Sequence, residues 1–367
     1  MQLIPDARYS HTLINLKPKD MKSTTAATTL YLFGGDDGGH RQAAAMMTDS
    51  SKSGYKWGQY FNDVWRVDIV VHGDHLFKAK WMQMKTRSSL SEPSPRTSHS
   101  AVAMTMTMTD MESKRTVMVV FGGLTVARGV ASSSSSSLLR PTLVDSNEVW
   151  WMIPPLSSLS DDNTARWKRW KQQYSSSVIT LPEARHGHAA TTAHHTMYMF
   201  GGQSHLRQSL LSDLWSWTVA TGWSLLHKNE DGSSSDDDKR QDKMVPNGLL
   251  YAAISSMRTG SVDSNEGERL ILHGGALGCH PRCTTESTVW LWEIGTNVWT
   301  KGQVKKKTQV HVRGDIANIG ERRDDGMVVA GRSSQDLVKE SMVPMHRYRH
   351  TMSPLLLMQG DASSSSV

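Results

Sequence analysis

The sequence predicts an all-β protein built from a recurring four-stranded antiparallel unit. The clearest example is residues 185–226, where the segments RHGHAATTA, TMYMFGG, DLWSWTV and GWSLL are rich in Thr, Met, Leu and aromatic residues. Segments of this composition, separated by glycine and polar turns, are typical of a meander of short strands. One such sheet cannot bury both of its faces alone, so a stable fold requires several units.

The same residue types recur in the same order along the chain and mark the repeats. In the first three, an Arg-x-x-His motif opens the repeat; in all four, a glycine pair ends the second strand, and the third and fourth strands each carry a tryptophan. These marks are Arg8, His11, Gly34, Gly35, Trp65 and Trp81 in repeat 1; Arg96, His99, Gly122, Gly123, Trp150 and either Trp167 or Trp170 in repeat 2; Arg185, His188, Gly201, Gly202, Trp215 and Trp223 in repeat 3; and Gly274, Gly275, Trp290 and Trp299 in repeat 4.

This order of marks resembles the kelch repeat, as found in the superfamily that includes the central domain of galactose oxidase. The resemblance implies a single β-propeller over residues 5–360, in which each repeat forms one four-stranded antiparallel blade. The expected units are four clear blades at 8–85, 96–172, 185–227 and 247–302, a degenerate blade at 313–340, a partial blade at 347–360 and a disordered tail at 361–367. Either the last units close the ring with eroded sequence, or the chain is truncated.

Repeats 1 and 2 each carry a long insert after the glycine pair. Repeat 1 has the strands YSHTLINL, TLYLFGG, NDVWRVDI and KWMQM, with an insert at 36–60. Repeat 2 begins with SAVAMTMTMTD, in which every second residue from Val102 to Met108 is apolar and lies on one face. Its insert is 124–146. Its fourth strand holds RWKRWK, which also has the composition of a basic-aromatic nucleic-acid patch, but the repeat already requires a tryptophan there.

Repeat 3 is compact, and repeat 4 departs from the pattern. After repeat 3, the insert at 227–245 contains the charged run EDGSSSDDDKRQD, which is typical of a solvated, disordered loop and lacks EF-hand spacing. Repeat 4 has the strands GLLYAAISS, RLILHGG, STVWLWEI and NVWTKG. Asn247 is expected at the position of the starting arginine, and His273 replaces the phenylalanine that precedes the other glycine pairs.

Composition and charge restrict the function classes. The chain has 367 residues, which suits one large all-β ring or two ordinary domains, and its net charge of +6 is too mild to indicate a nucleic-acid surface. There is no apolar stretch long enough for a transmembrane helix and no signal-peptide-like core near Met1. A monomer in the cytoplasm or nucleus, without nucleic-acid or membrane partners, is expected.

We interpret the recurring residues as structural, because a group needed once for chemistry would not recur in every repeat. A glycine pair permits a tight backbone path that a Cβ atom would block. The residue before the pair and the two tryptophans are expected to fill the space between neighbouring sheets.

Two further polar features are open to several interpretations. Cys279 and Cys283 fit free thiols in a loop, a local disulfide or part of a metal site, although zinc would need a fourth ligand besides these thiols and His280. His194 and His195 fall between the first and second strands of repeat 3 and are predicted to lie in a surface turn.

The position of the long inserts predicts a binding function. In an antiparallel unit, the connection between strands two and three emerges on the same side as the connection between units. The inserts 36–60, 124–146 and 227–245 therefore converge on one face, where variable loops on a rigid scaffold favour binding. The kelch resemblance implies a partner protein at that face, of unknown identity, as in scaffolds and substrate adaptors.

The alternative is a metal-dependent or oxidase-like enzyme on the same fold. The copper site of galactose oxidase needs tyrosine and histidine ligands and a Tyr–Cys crosslink, and neither cysteine of this chain has a matching context. The chain also contains no G-x-S-x-G or H-E-x-x-H motif and no phosphate-binding glycine loop. The sequence therefore predicts a scaffold without a catalytic site, metal or cofactor.

Overall fold

The structure is a computed structural model that describes residues 4–16, 27–38, 59–72, 76–86, 92–108, 113–127, 142–155, 163–171, 180–228, 245–258, 268–278, 284–302 and 355–356. All regular secondary structure in these residues is β-strand, arranged mainly in four antiparallel sheets that we name I to IV in chain order. The prediction of an all-β chain is confirmed. Within the same ranges, no helix could span a membrane.

Sheet I is a simple meander formed by repeat 1. Its strands are β1 (Thr12–Asn15), β2 (Ala27–Phe33), β3 (Val64–His72) and β4 (Leu76–Gln83). They pair in chain order, each antiparallel to the next.

Sheet II has the same order in repeat 2, with one added edge strand. The strands of this part of the chain are β5 (Lys85–Thr86), β6 (Arg96–Thr97), β7 (Ser100–Met108), β8 (Ser113–Phe121), β9 (Leu124–Val126), β10 (Leu143–Asp145), β11 (Val149–Ile153) and β12 (Thr164–Arg169). Strands β7, β8, β11 and β12 form the meander, and β5 joins β12 in parallel. Strands β6, β9 and β10 form a small sheet of their own.

Sheets III and IV repeat the arrangement. Their strands and short hairpins are β13 (Ala189–Ala193), β14 (Thr196–Phe200), β15 (Gln203–Ser204), β16 (Ser209–Leu210), β17 (Leu214–Thr218), β18 (Gly222–His227), β19 (Ala253–Arg258), β20 (Glu268–His273), β21 (Ala276–Gly278), β22 (Thr284–Thr285), β23 (Val289–Glu293), β24 (Val298–Lys301) and β25 (Leu355–Leu356). Sheet III is β13-β14-β17-β18. Sheet IV is β19-β20-β23-β24, with β25 added in parallel beside β19.

The four sheets stack in chain order through three apolar layers. One layer joins sheets I and II, a second joins II and III, and a third joins III and IV. Strand β8 lies between two layers, so all five residues from Val117 to Phe121 have no exposed surface. Met118 and Val120 face sheet I, whereas Val117 and Val119 face sheet III, because successive side chains of a strand point to opposite faces.

The direction of the strands gives the stack two different edges. The first strands β1, β7, β13 and β19 contact one another in succession. Because strands alternate in direction, the connections between second and third strands and those between sheets lie at one edge, which we call the loop edge. The connections between first and second and between third and fourth strands lie at the other, which we call the turn edge.

Several sequence predictions fall on residues that the structure does not describe. They include Cys279 and Cys283, the degenerate unit 313–340, the tail 361–367 and most of each long insert. Of the partial unit 347–360, the described residues are Leu355 and Leu356, which form β25.

Candidate functional site

The starting arginine of each of the first three repeats is an internal anchor. Arg185 is fully buried, and its guanidinium donates to both carboxylate oxygens of Asp213, at 2.6 and 2.8 Å, and to the carbonyl of Gly201 at 3.0 Å. Asp213 also accepts the indole N–H of Trp215 at 2.7 Å. The arginine, the glycine pair and the third-strand tryptophan thus form one hydrogen-bonded group around a carboxylate.

Repeats 1 and 2 have the same arrangement. Arg8 donates to Asp63 at 2.5 and 3.1 Å, and Trp65 donates to the same carboxylate at 2.6 Å. In repeat 2, the carboxylate is Glu148, which accepts from Arg96 at 3.1 Å and from Trp150 at 2.9 Å. These carboxylates were missed in the sequence, although an acidic residue stands two positions before the tryptophan in NDVW, NEVW and SDLW.

The glycine pairs occupy the same backbone conformation in all four repeats. The first glycine has φ between 64° and 70°, and the second has φ between 91° and 98°. A Cβ on Gly122 would lie 2.8 Å from the carbonyl oxygen of Arg185, in the next repeat, so no larger residue fits there. The first glycine of the pair therefore lies against the backbone of the next repeat, where a side chain would clash.

The starting histidines also join consecutive repeats. His99 Nε2 lies 2.9 Å from Thr12 Oγ1, and His188 Nε2 lies 2.8 Å from Ser100 Oγ. Each histidine thus bonds the hydroxyl residue that begins the preceding sheet. The ring of Phe33 packs against His99 at 5.1 Å between ring centroids, and Phe121 packs against His188 at the same distance.

The structure identifies Trp167, rather than Trp170, as the fourth-strand mark of repeat 2. Trp167 is paired with Met152 on the neighbouring strand, as Trp223 is paired with Trp217. Its ring lies 4.9 Å from the ring of Phe33, which repeats the contact between Phe121 and Trp223.

The placement of Asn247 at the arginine position is wrong. Leu250 bridges Ala276 as His186 bridges Gln203, so the preceding residue, Leu249, stands where Arg185 stands in repeat 3. The carbonyl of Leu249 accepts the N–H of Gly202 at 2.9 Å, as Arg185 does from Gly123. Neither Asn247 nor Leu249 is an arginine, so the sequence does not show which of them is equivalent to Arg185. The strand register identifies Leu249.

Neither polar pair is preserved in repeat 4 or at its junction with repeat 3. Thr288 stands where the other repeats carry the carboxylate, and Trp290 Nε1 has no hydrogen-bond partner among the described residues. Ala252 takes the histidine position, and its counterpart in the preceding repeat is Ala189 rather than Thr or Ser. The loss of both partners avoids a buried arginine or carboxylate without its counter-charge, and the indole N–H of Trp290 is the member of the group that stays buried without an acceptor.

The buried His99 is expected to make the folded protein less stable in acid. Burial, together with the positive charges of Arg96 and His11, lowers the pKa of His99 from 6.5 to about 3. The unfolded chain takes up this proton below pH 6.5 and the folded chain does not, so stability falls with pH from 6.5 towards 3. We expect His99 to lower the free energy of unfolding at pH 5 by about 2 kcal/mol relative to neutral pH.

Urea unfolding of the wild type and of His99→Gln between pH 5 and 7.5 tests this. The variant should lose part of the pH slope whatever its stability at neutral pH. An unchanged slope would show that His99 is not neutral in the folded protein.

One polar cluster at the loop edge does not recur with the repeats. Asp145 ends β10, His186 precedes β13 and His205 follows β15, and the three meet where sheets II and III adjoin. His186 Nδ1 lies 2.8 Å from one carboxylate oxygen of Asp145, and His205 Nδ1 lies 3.1 Å from the other. The two imidazole rings stack with their centroids 5.0 Å apart.

The cluster is partly shielded from water, and its surroundings favour the charged form of Asp145. The side chains of His186 and Asp145 are 7% and 5% exposed, whereas that of His205 is 54% exposed. Burial by itself raises the pKa of Asp145, but the hydrogen bonds from His186 and from the backbone and ring of His205 outweigh it, and the pKa is lowered. Asp145 is therefore a carboxylate held in place between two imidazoles.

A groove of about 550 Å³ lies at the turn edge, opposite the cluster. It is bordered by Met104 and Met106 of β7, by His194 and His195, and by Val219. The two histidines have φ of 46° and 60° and form the turn between β13 and β14, which confirms the predicted surface turn. His194 Nδ1 is 2.6 Å from Glu268.

The chain is weakly similar to a protein of known structure. No family model matches the chain, and no curated protein matches it. Among solved structures, the chain is similar to one described as "Structure of YjhT", with a TM-score of 0.42 and 12% sequence identity over 82% of this chain and 67% of that chain. A similarity of this size supports no functional inference.

Proposed function

We propose that this protein is a kelch-type β-propeller that acts as a protein-interaction scaffold and binds a partner protein at the loop edge. The observation that carries the proposal is the position of the inserts: 36–60, 124–146 and 227–245 all leave the stacked sheets at this edge. Loops that converge on a rigid framework are the usual place for recognition.

Three features of the described residues support the propeller. The first strands contact one another in succession, the glycine pairs share one conformation, and His99 and His188 each reach back to the preceding repeat. In repeat 1, His11 is exposed and Trp81 is half-buried, whereas His99 and Trp167 are buried. A closed ring would bring a C-terminal blade against this face of sheet I.

Site-specific photo-crosslinking tests the binding edge. Leu206 is 87% exposed at the loop edge, and Val219 is 42% exposed at the turn edge. A photoreactive amino acid at position 206 is expected to capture a partner protein from a host lysate, and the same amino acid at position 219 serves as the matched control. Crosslinking of that partner at 219 alone would place the interaction on the opposite edge.

Shortening the loops gives an independent measurement. We expect at least a tenfold loss of captured partner when the three inserts are replaced by tight turns, because the binding surface is removed while the sheets remain. A control variant with shortened connections at 17–26 and 259–267, which join first to second strands, should retain the partner. Equal capture by both variants would contradict the proposal.

A monomer in the cytoplasm or nucleus, without nucleic-acid or membrane partners, remains part of this proposal. The alternative of a metal-dependent enzyme draws on one observation, the Asp145–His186–His205 cluster. The 550 Å³ groove lies at the opposite edge and does not adjoin that cluster.

A further inference from the structure

We propose that Asp145, His186 and His205 bind one divalent transition-metal ion of the zinc class at the loop edge. Their candidate ligand atoms all lie within 4.8 Å of one another. This inference goes beyond the scaffold function and stands independently of it.

The donor set selects the class of metal. Two imidazole nitrogens and one carboxylate oxygen suit Zn²⁺, Co²⁺ or Fe²⁺, whereas Ca²⁺ and Mg²⁺ prefer sites made of oxygen ligands. Three protein ligands with one side open to solvent leave a coordination position for water. The half-exposed His205 side chain lies on that open side, so the metal ion can reach the three ligands from the solvent there.

The backbone holds the three ligands together. The N–H of His205 donates to Asp145 Oδ2 at 2.6 Å, which fixes the carboxylate. The backbones of His186 and Gln203 exchange two hydrogen bonds, at 3.0 and 2.9 Å, so the strand that precedes His205 is tied to His186. Metal binding then replaces two imidazole–carboxylate hydrogen bonds, and each ring carries its proton on Nε2.

The fold does not require this cluster. The positions equivalent to His186 in the other repeats are Tyr9, Thr97 and Leu250. The positions equivalent to Asp145 are Tyr60, Leu210 and Thr285, each of which precedes the residue that donates to the second glycine of its pair. The three residues meet at the junction of sheets II and III, although the repeat does not require them there. This indicates a role separate from the stability of the fold.

A bound ion would also fix one end of the second insert. Asp145 lies near the C-terminal end of the insert 124–146, and both histidines belong to repeat 3. The ion would therefore fasten the base of this insert to the neighbouring sheet, at the edge where the partner is proposed to bind.

Calorimetric titration of the full chain with Zn²⁺, after treatment with a chelator, tests the site. We expect one equivalent to bind, and Co²⁺ in its place to give a visible absorption band. His205→Ala should weaken binding at least 100-fold, and because this side chain is half exposed the variant should fold normally. Asp145→Asn should weaken binding at least tenfold.

Two controls separate this site from others on the chain. His194→Gln combined with His195→Gln removes a histidine pair from the turn edge and should leave binding unchanged. Cys279→Ser combined with Cys283→Ser should also leave it unchanged. Loss of the ion with the cysteines, or no stoichiometric binding by the wild type, would overturn the proposal and leave the cluster as a hydrogen-bonded link between sheets.

Discussion

Replacing Asp213 with alanine is expected to lower the free energy of unfolding by about 3–5 kcal/mol, because it leaves a buried guanidinium without its counter-charge. Arg185 has no exposed surface, and Asp213 accepts two of its hydrogen bonds. The same substitution removes the acceptor of the Trp215 indole. Chemical denaturation at neutral pH measures the loss.

Repeat 4 supplies the matched control. The double substitution Arg185→Leu with Asp213→Thr reproduces the pair Leu249 and Thr288 of that repeat. It should be more stable than Asp213→Ala by at least about 2 kcal/mol, because no unpaired charge remains in the interior. If the double variant is as unstable as the single one, the penalty arises from lost packing around Asp213 and not from the isolated charge.

Replacing Gly201 with alanine is expected to destabilise the protein by about 3–5 kcal/mol, the sum of backbone strain and overpacking. Gly201 has φ of 69°, and a Cβ would lie 2.8 Å from the carbonyl of Leu249 and 3.0 Å from that of Leu211. Both obstacles are backbone atoms, so neither can rotate away. Thermal and urea unfolding give the magnitude.

Gly295→Ala is the control for this substitution. Gly295 lies in the turn between β23 and β24, and a Cβ there meets nothing within 4 Å. Its effect should stay within about 1 kcal/mol of zero. A similar loss in both variants would mean that the close backbone contacts at Gly201 are not the cause of the destabilisation.

The sequence alone determined the repeating part of this protein. Strand-forming segments, glycine pairs and tryptophans recur because every repeat has the same two structural requirements. Its backbone passes through a turn with no room for a Cβ atom, and its sheet packs an apolar face against the next sheet. Gly122 and Gly201 illustrate this, since each is pressed against a carbonyl of the following repeat. Such requirements act at fixed spacing along the chain and are therefore visible as a pattern.

Contacts between residues that are distant in the sequence could be identified only from the tertiary structure. The register of β19 and β20 placed Leu249 at the arginine position, and a cross-strand partner identified Trp167. Asp145 meets His186 and His205 across 41 and 60 residues of sequence, because sheets II and III adjoin at the loop edge. None of the three has a counterpart of the same type in another repeat, so no periodic signal marks them. Stacking of the sheets is the physical cause of their proximity.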